Sequence, residues 1–414
     1  MSRIVKSVMV FLALSVCGAV FVSTAESQDF QKVPIFLRAS DLLPRDLLSG
    51  PNYTIKERVQ NDGFINTYEI ETQYGPLRVE STELLLKRVA ELRALLKLEE
   101  LKGTSLYMDA FKAAAMGPLK TAQGLVTAPV ETVKGIGTGI GNFFSKIGTS
   151  ITSSDPDKDK ILDAALGQSV YKREYAHQFG VDPYTNYEPL QKVLSDVAWT
   201  SAAGGLTVKA AFMAIPGAAG AVVGYSGTAE TMRNMVFTKT PPELEKINRA
   251  RLHDMNIVDP LASQFLSNTS YGPQEKTFLV GALASMTGVR DRGIFVEWAS
   301  MDCVEPVALF IRVRAQMMGQ YFEKTRNVDR FVSAGGAPLL LTKNGVIVGL
   351  FSLDHVAWTA GFARKEMVIS DAIARMSGIK GKELWISGTV DPAARRALES
   401  KGWKVEERVQ DRLK

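Results

Sequence analysis

The sequence predicts an α+β protein that is predominantly helical, and two observations carry this prediction. Apolar residues recur every three or four positions over most of the chain, which is the spacing of amphipathic helices. Short alternating segments bounded by turn residues occur near both ends, at residues 53–80 and after residue 338. We therefore expect a small N-terminal β-meander followed by a helix, a central helical region, and a C-terminal hairpin with a β-α-β unit.

The composition is that of a globular protein. The chain has 414 residues, of which 46% are hydrophobic and 22% are charged, and its net charge is +5. That surplus of positive charge is too dilute to indicate nucleic-acid binding. Three histidines and two cysteines are too few and too scattered to predict a metal site, a cofactor or a disulfide framework.

The first 25 residues have the three parts of a secretory signal peptide. Arg3 and Lys6 form a basic start, an uncharged run extends from Val8 to Val22, and the small residues Ser23 and Ala25 follow. The run is shorter than the ~20 residues that span a bilayer, so cleavage after Ala25 is favoured over an uncleaved anchor. The mature protein is expected in the periplasm or cell envelope, where it would be free or associated with the membrane.

Residues 26–103 are predicted to form a small α+β module. Asn61-Asp62-Gly63 lies between two β-rich runs and is a strong hairpin signal. Gly75-Pro76 makes a second turn before a short strand at 77–79. Ser81 or Thr82 can then cap a helix that continues to Gly103.

Residues 104–154 are predicted to be a Gly-rich amphipathic segment with a linker. Between residues 117 and 151 the apolar positions are three or four apart, which places them in one stripe along a helix. A Ser/Thr/Gly-rich opposite side with few charges favours a membrane surface, whereas packing of the stripe on the protein's own core is the alternative. The predicted membrane-binding residues are Leu119, Val126, Val130, Val133, Ile136, Ile140, Phe144 and Ile147.

The remaining chain divides into a helical domain at 155–328 and a C-terminal α/β module at 329–414. The helical domain contains an uncharged Ala/Gly-rich run at 210–227, for which a buried helical hairpin is favoured over a membrane span. In the C-terminal module Lys343-Asn344-Gly345 predicts a hairpin. Asp391-Pro392 begins a helix between strands at 384–386 and 403–405, so these two strands are expected to be parallel.

Motifs that carry chemistry are scarce. The glycines at 135–141 lack the spacing of a dinucleotide-binding or phosphate-binding loop. The candidate catalytic residues are Asp354 with His355, an acid beside an imidazole at the end of the hairpin, and Cys303, a thiol that could use His355 as its base. No catalytic motif surrounds any of the three.

The preferred hypothesis is an exported cell-envelope protein that acts by binding or membrane-surface association, without catalysis. Its partners would be a lipid surface or another envelope protein, and not a nucleic acid. The alternative is a periplasmic, hydrolase-like enzyme that uses Asp354 and His355, or Cys303.

Overall fold

A computed structural model describes residues 30–116, 156–215 and 227–413. It confirms an α+β fold in which helix predominates. The predicted signal peptide, the predicted membrane-binding stripe at 117–151 and residues 216–226 of the Ala/Gly-rich run lie outside the described residues. Among the helices of the three described ranges, none combines the length and the apolar character needed to cross a membrane.

The chain divides into two compact units. The first comprises residues up to Leu86, Gly227–Met232 and Pro241–Lys414, and the second comprises Lys87–Ser226 and Arg233–Thr240. The first unit is thus discontinuous in sequence, because the second is inserted into it.

An antiparallel sheet opens the first unit. Its strands and short helices are β1 (Ile35–Arg38), α1 (Ala39–Leu42), α2 (Arg45–Leu48), β2 (Ser49–Gly50), β3 (Tyr53–Ile55), β4 (Arg58–Asn61), β5 (Asn66–Thr72) and β6 (Leu77–Glu80). Strands β3 and β4 pair with the same edge of β5, and β6 pairs with the other edge. The predicted meander is therefore present, but its first strand is interrupted at residues 56–57, where Glu57 O accepts from Ala39 N (2.8 Å).

The helix predicted after this sheet is α3 (Thr82–Lys102). Ser81 is its cap, since the Ser81 hydroxyl accepts a hydrogen bond from Leu84 N (3.1 Å). Leu85 and Leu92, two of the periodic positions, are completely buried.

Helices build the second unit. After most of α3 come α4 (Ser105–Ala115), α5 (Pro156–Phe179), α6 (Glu188–Gly204) and α7 (Val208–Met213). Helix α6 packs against both α4 and α5, and Gly204 permits the close approach to α4, because a Cβ atom there would lie 2.1 Å from Ala110 O. Inside the unit, the Thr200 hydroxyl donates to Tyr107 Oη (3.0 Å).

Further helices precede the C-terminal sheet: α8 (Gly227–Thr238), α9 (Pro241–Asp254), α10 (Leu261–Ser267), α11 (Pro273–Ser285), α12 (Gly293–Ala299) and α13 (Glu305–Thr325). The C-terminal elements are β7 (Val328–Ala334), β8 (Ala337–Thr342), β9 (Val346–Phe351), β10 (His355–Val356), α14 (Ala360–Ala374), β11 (Gly381–Ile386), β12 (Thr389–Val390), α15 (Pro392–Ser400), β13 (Trp403–Glu406) and α16 (Gln410–Leu413).

The C-terminal sheet has the strand order β13-β11-β9-β8-β7. The predicted β8–β9 hairpin is antiparallel and the predicted β11-α15-β13 unit is parallel, so both predictions are confirmed. Strand β9 also pairs in parallel with β11, which joins the two predicted motifs into one sheet. Helices α14 and α15 cover one side of this sheet through a shared apolar core that includes Leu339, Ile347, Leu384 and Phe362.

On the other side of the sheet, Arg314 of α13 is completely buried. Its Nε donates to Leu350 O and its Nη2 donates to Pro338 O, both at 2.7 Å. Strands β8 and β9 pair at Leu340–Val348, so Pro338 and Leu350 would be the next such pair. Proline has no N–H to donate to Leu350 O in this ladder, and the guanidinium supplies that donor in its place.

No carboxylate pairs with Arg314 in the described part of the chain. Aromatic rings surround the guanidinium instead, with its Cζ 4.1 Å from the ring centroid of Phe351 and 4.9 Å from that of Trp298. Burial lowers the pKa of Arg314 to about 9. The cation is therefore held by backbone carbonyls and π-faces.

Candidate functional site

Two of the predicted catalytic residues lie at the carboxyl end of the parallel strands. Asp354 and His355 follow β9, and the loop that contains Gly388 follows β11. Beyond the main sheet, the segments that follow β9 and β11 pair again as the short parallel ladder of β10 with β12. Ligands of open α/β sheets bind at this end, so the location is suitable for a site.

The carboxylate of Asp354 points to the N-terminal sheet and α3. It accepts hydrogen bonds from Asn66 N (2.8 Å) and from Thr82 N (3.0 and 3.2 Å). Thr82 begins α3, so the carboxylate occupies a helix N-terminus, where negative charge is stabilised. Thr82 and Asn66 precede Asp354 by 272 and 288 positions, so the carboxylate connects parts of the first unit that are distant in sequence.

Burial raises the pKa of Asp354 to about 6, and the nearby charge of Glu83 acts in the same direction. The hydrogen bonds from Asn66 and Thr82 oppose this shift because they favour the charged form. The carboxyl group therefore titrates close to neutral pH.

This shift predicts a pH-dependent stability. Because the ordinary pKa is 3.8 and the folded pKa is about 6, the folded state retains a proton that the unfolded state has lost within this window. The contribution of Asp354 to the free energy of unfolding should therefore fall as pH rises through this window. The expected decrease is ~1.4 kcal/mol per pH unit and ~3 kcal/mol in total.

Asp354→Asn removes this titration, so the stability of the variant relative to the wild type should rise by ~3 kcal/mol between about pH 4 and pH 7. A constant cost, the same at every pH, is expected in addition because the amide nitrogen cannot accept a hydrogen bond from Asn66 N or Thr82 N. Urea unfolding at several pH values measures the difference, and Asp371→Asn on the exposed surface of α14 is the control. A difference between Asp354→Asn and wild type that stays constant with pH would contradict the prediction.

The imidazole of His355 faces a different partner from Asp354. Its Nδ1 forms a 2.8 Å hydrogen bond with the Thr389 hydroxyl, and the two residues are cross-strand neighbours in the β10–β12 ladder. Burial lowers the pKa of His355, while the charges of Asp391 and Glu407 oppose that shift. The ring is thus neutral at neutral pH.

The carboxylates near His355 already have structural partners. Asp391 accepts from Ala393 N (2.7 Å) and caps α15, and Glu407 accepts from Val390 N (2.8 Å). An imidazole beside a hydroxyl is a catalytic pattern in other proteins. Here Asp354 contacts Asn66 and Thr82 instead of the His355 ring. The imidazole of His355 and the hydroxyl of Thr389 form a cross-strand contact.

Cys303 lies in the loop before α13 and is half-buried. Its backbone N–H donates to the Ser270 hydroxyl (2.9 Å), and burial raises the pKa of its thiol although Ser270 and Tyr271 oppose the shift. A protonated thiol is a poor nucleophile. Among the described hydrogen bonds, Cys303 contacts Ser270 and His355 contacts Thr389, and none joins the thiol to the imidazole.

A groove in the second unit is the other candidate site. It has a volume of about 560 Å³ and lies between α4, α5 and α6. Aromatic side chains form one wall, where Phe111 stacks on Tyr107 and meets Trp199 edge-on, with ring centroids 6.3 Å apart in each pair. At another part of the lining, Lys102 forms an ion pair with Asp196 (3.0 Å).

The groove was not predicted from the sequence. The predicted membrane-binding residues begin at Leu119, outside the described residues, whereas exposed apolar side chains are present earlier in α4. Met108, Phe111 and Ala115 continue the same three- and four-residue spacing towards Leu119, and this was the available signal.

Comparison with known proteins adds no relative: no family model, no curated protein and no solved structure matches this chain. Assignment of a function therefore depends on the two sites described above.

Proposed function

We propose that this is an exported cell-envelope protein that acts by non-catalytic association with the lipid surface of a membrane. The observation that carries the proposal is the aromatic groove of the second unit. Its apolar side chains are exposed to water, with 42% of Phe111 and 37% of Trp199 accessible. A concave, largely apolar groove of this size is typical of binding sites.

The amino-acid sequence that follows α4 supports lipid as the ligand. Helix α4 ends at Ala115, close to the start of the segment predicted to carry an apolar stripe from Leu119 onwards. The apolar spacing of α4 runs into that stripe without a break. Full burial of one large apolar side chain is worth ~1.5–3 kcal/mol, so the groove and stripe together supply enough energy for membrane binding.

The charges suggest that apolar insertion would dominate over electrostatic attraction. The segment 117–151 has three lysines and one glutamate, a net charge of +2. Binding should therefore depend weakly on salt and on anionic lipid.

The contacts of Asp354, His355 and Cys303 favour binding over the enzymatic alternative. Asp354 holds backbone N–H groups, His355 pairs across a ladder, and Cys303 has a raised thiol pKa. Each of these arrangements has a structural explanation and requires no catalytic role for the residue.

The test is co-sedimentation of the mature protein with small, highly curved phosphatidylcholine vesicles. Phe111→Ser should weaken binding about tenfold, because roughly 1.4 kcal/mol of apolar burial is lost. Leu106→Ser is the matched control, since Leu106 is 39% exposed on the same helix but lies outside the groove lining.

A second variant, Ile140→Asp with Phe144→Asp, tests the predicted stripe separately. We expect binding to be lost, because carboxylates would enter the acyl region. A wild-type protein that stays in the supernatant would refute the proposal, and so would equal effects of Phe111→Ser and Leu106→Ser.

A further inference from the structure

Strand β7 is the outermost strand of the C-terminal sheet, and within the described residues its outer edge is paired at one place. There Arg290 N donates to Asp329 O (3.1 Å) and Phe331 N donates to Arg290 O (3.0 Å). Asp291 then takes a left-handed conformation with φ 60°, and α12 begins two residues later.

The edge beyond this point has free hydrogen-bonding groups. Backbone groups of an antiparallel strand alternate between its two sides, and Phe331 N–H points away from β8. The N–H and C=O of Ser333 therefore also point away from β8. Within the described residues these two groups have no hydrogen-bond partner, and Ser333 is exposed.

A cavity of about 430 Å³ borders this free edge, and its charged lining is mainly basic. Arg330 and Arg375 line it together with Asp291. Arg330 shares Asp329 with Arg290, at 3.1 and 2.8 Å respectively. Arg375 is exposed and forms no ion pair with any described residue.

We propose that the β7 edge binds an extended peptide segment that carries acidic side chains. The peptide backbone would continue the sheet through Phe331 O and through the N–H and C=O of Ser333, as in recognition by strand addition. A carboxylate of the peptide would pair with the guanidinium of Arg375 or Arg330.

The charges and the strand edge favour an acidic peptide over two other occupants, a second copy of the chain and a small anion. A second copy of the chain paired along β7 would bring the same arginines opposite each other, and like charges repel. A small anion would use the arginines and leave the edge groups of Ser333 unpaired. An acidic peptide satisfies both features.

The probe for this proposal is a capped, fluorescein-labelled heptapeptide in which Glu alternates with Thr, and fluorescence anisotropy measures its binding. Arg375→Glu should weaken binding about tenfold or more, and Arg364→Glu, the same charge change at an exposed position of α14, should change it less than about twofold. Ser333→Pro removes the edge N–H and should also weaken binding about tenfold.

A second probe, in which alternate amides of the peptide are N-methylated, tests the backbone hydrogen bonds without any change to the protein. This probe cannot donate hydrogen bonds to the carbonyl groups of the β7 edge. We expect it to bind about tenfold more weakly than the unmodified peptide. No binding of the unmodified probe at about 1 mM would overturn the proposal. The proposal would also be overturned if Arg375→Glu weakened peptide binding but Ser333→Pro and N-methylation did not. That result would assign the cavity to a small anion.

Discussion

Replacement of Arg314 by methionine is expected to lower the free energy of unfolding by about 3–5 kcal/mol. The substitution removes the donors to Leu350 O and Pro338 O and leaves two buried carbonyl groups without partners. Relief of the buried charge offsets only part of this loss. Urea unfolding followed by tryptophan fluorescence measures the effect.

Arg312→Met is the matched control, because Arg312 lies on the same helix, is half-buried and pairs with Gln316. It should cost less than about 1 kcal/mol. Adding Pro338→Val to Arg314→Met restores an N–H opposite Leu350 and should recover about 1 kcal/mol. If Arg314→Met and Arg312→Met are equally mild, the guanidinium does not replace the missing ladder bonds.

Gly388→Ala is expected to destabilise the first unit by about 4 kcal/mol. A Cβ atom at Gly388 would lie 1.9 Å from Asp354 O and 2.5 Å from Asp354 C, and neither backbone atom can rotate away. The strands of the β10–β12 ladder would have to separate, which breaks the bond from Thr389 N to Asp354 O (3.0 Å).

The control for Gly388→Ala is Gly381→Ala in β11, the strand that leads into the same loop. Its Cβ would meet Val346 Cγ2 at 3.9 Å, an ordinary contact, so the expected change is below about 1 kcal/mol. Thermal unfolding by circular dichroism compares the two variants. Equal melting temperatures would show that the backbone at Gly388 can shift freely.

Short sequence patterns predicted the turns and helix starts that depend on a few adjacent residues. Asn61-Asp62-Gly63, Lys343-Asn344-Gly345 and Asp391-Pro392 each mark a turn or helix start, and each lies where the sequence places it. The pairing of β9 with β11 was not predicted. Parallel neighbours are joined by a crossover of many residues, and no short-range pattern reports which strands become adjacent.

The candidate site was less predictable because side-chain direction depends on tertiary contacts. Asp354 and His355 are adjacent in sequence, but one side chain reaches Thr82 and the other reaches Thr389. Arg314 also carries no sequence signal, since an arginine on a helix is normally exposed. The missing N–H of Pro338, which is known once the strands are aligned, accounts for one of the two backbone hydrogen bonds of the buried Arg314.

The long-range bonds of Asp354 have a consequence for the order of events during synthesis. Asn66 leaves the ribosome 288 residues before the carboxylate that binds its N–H, and the whole inserted unit is made in the interval. The N-terminal strands cannot complete their native contacts during that time. Closing so long a loop is slow, so the first unit must finish folding late, after the inserted helices have had the opportunity to fold.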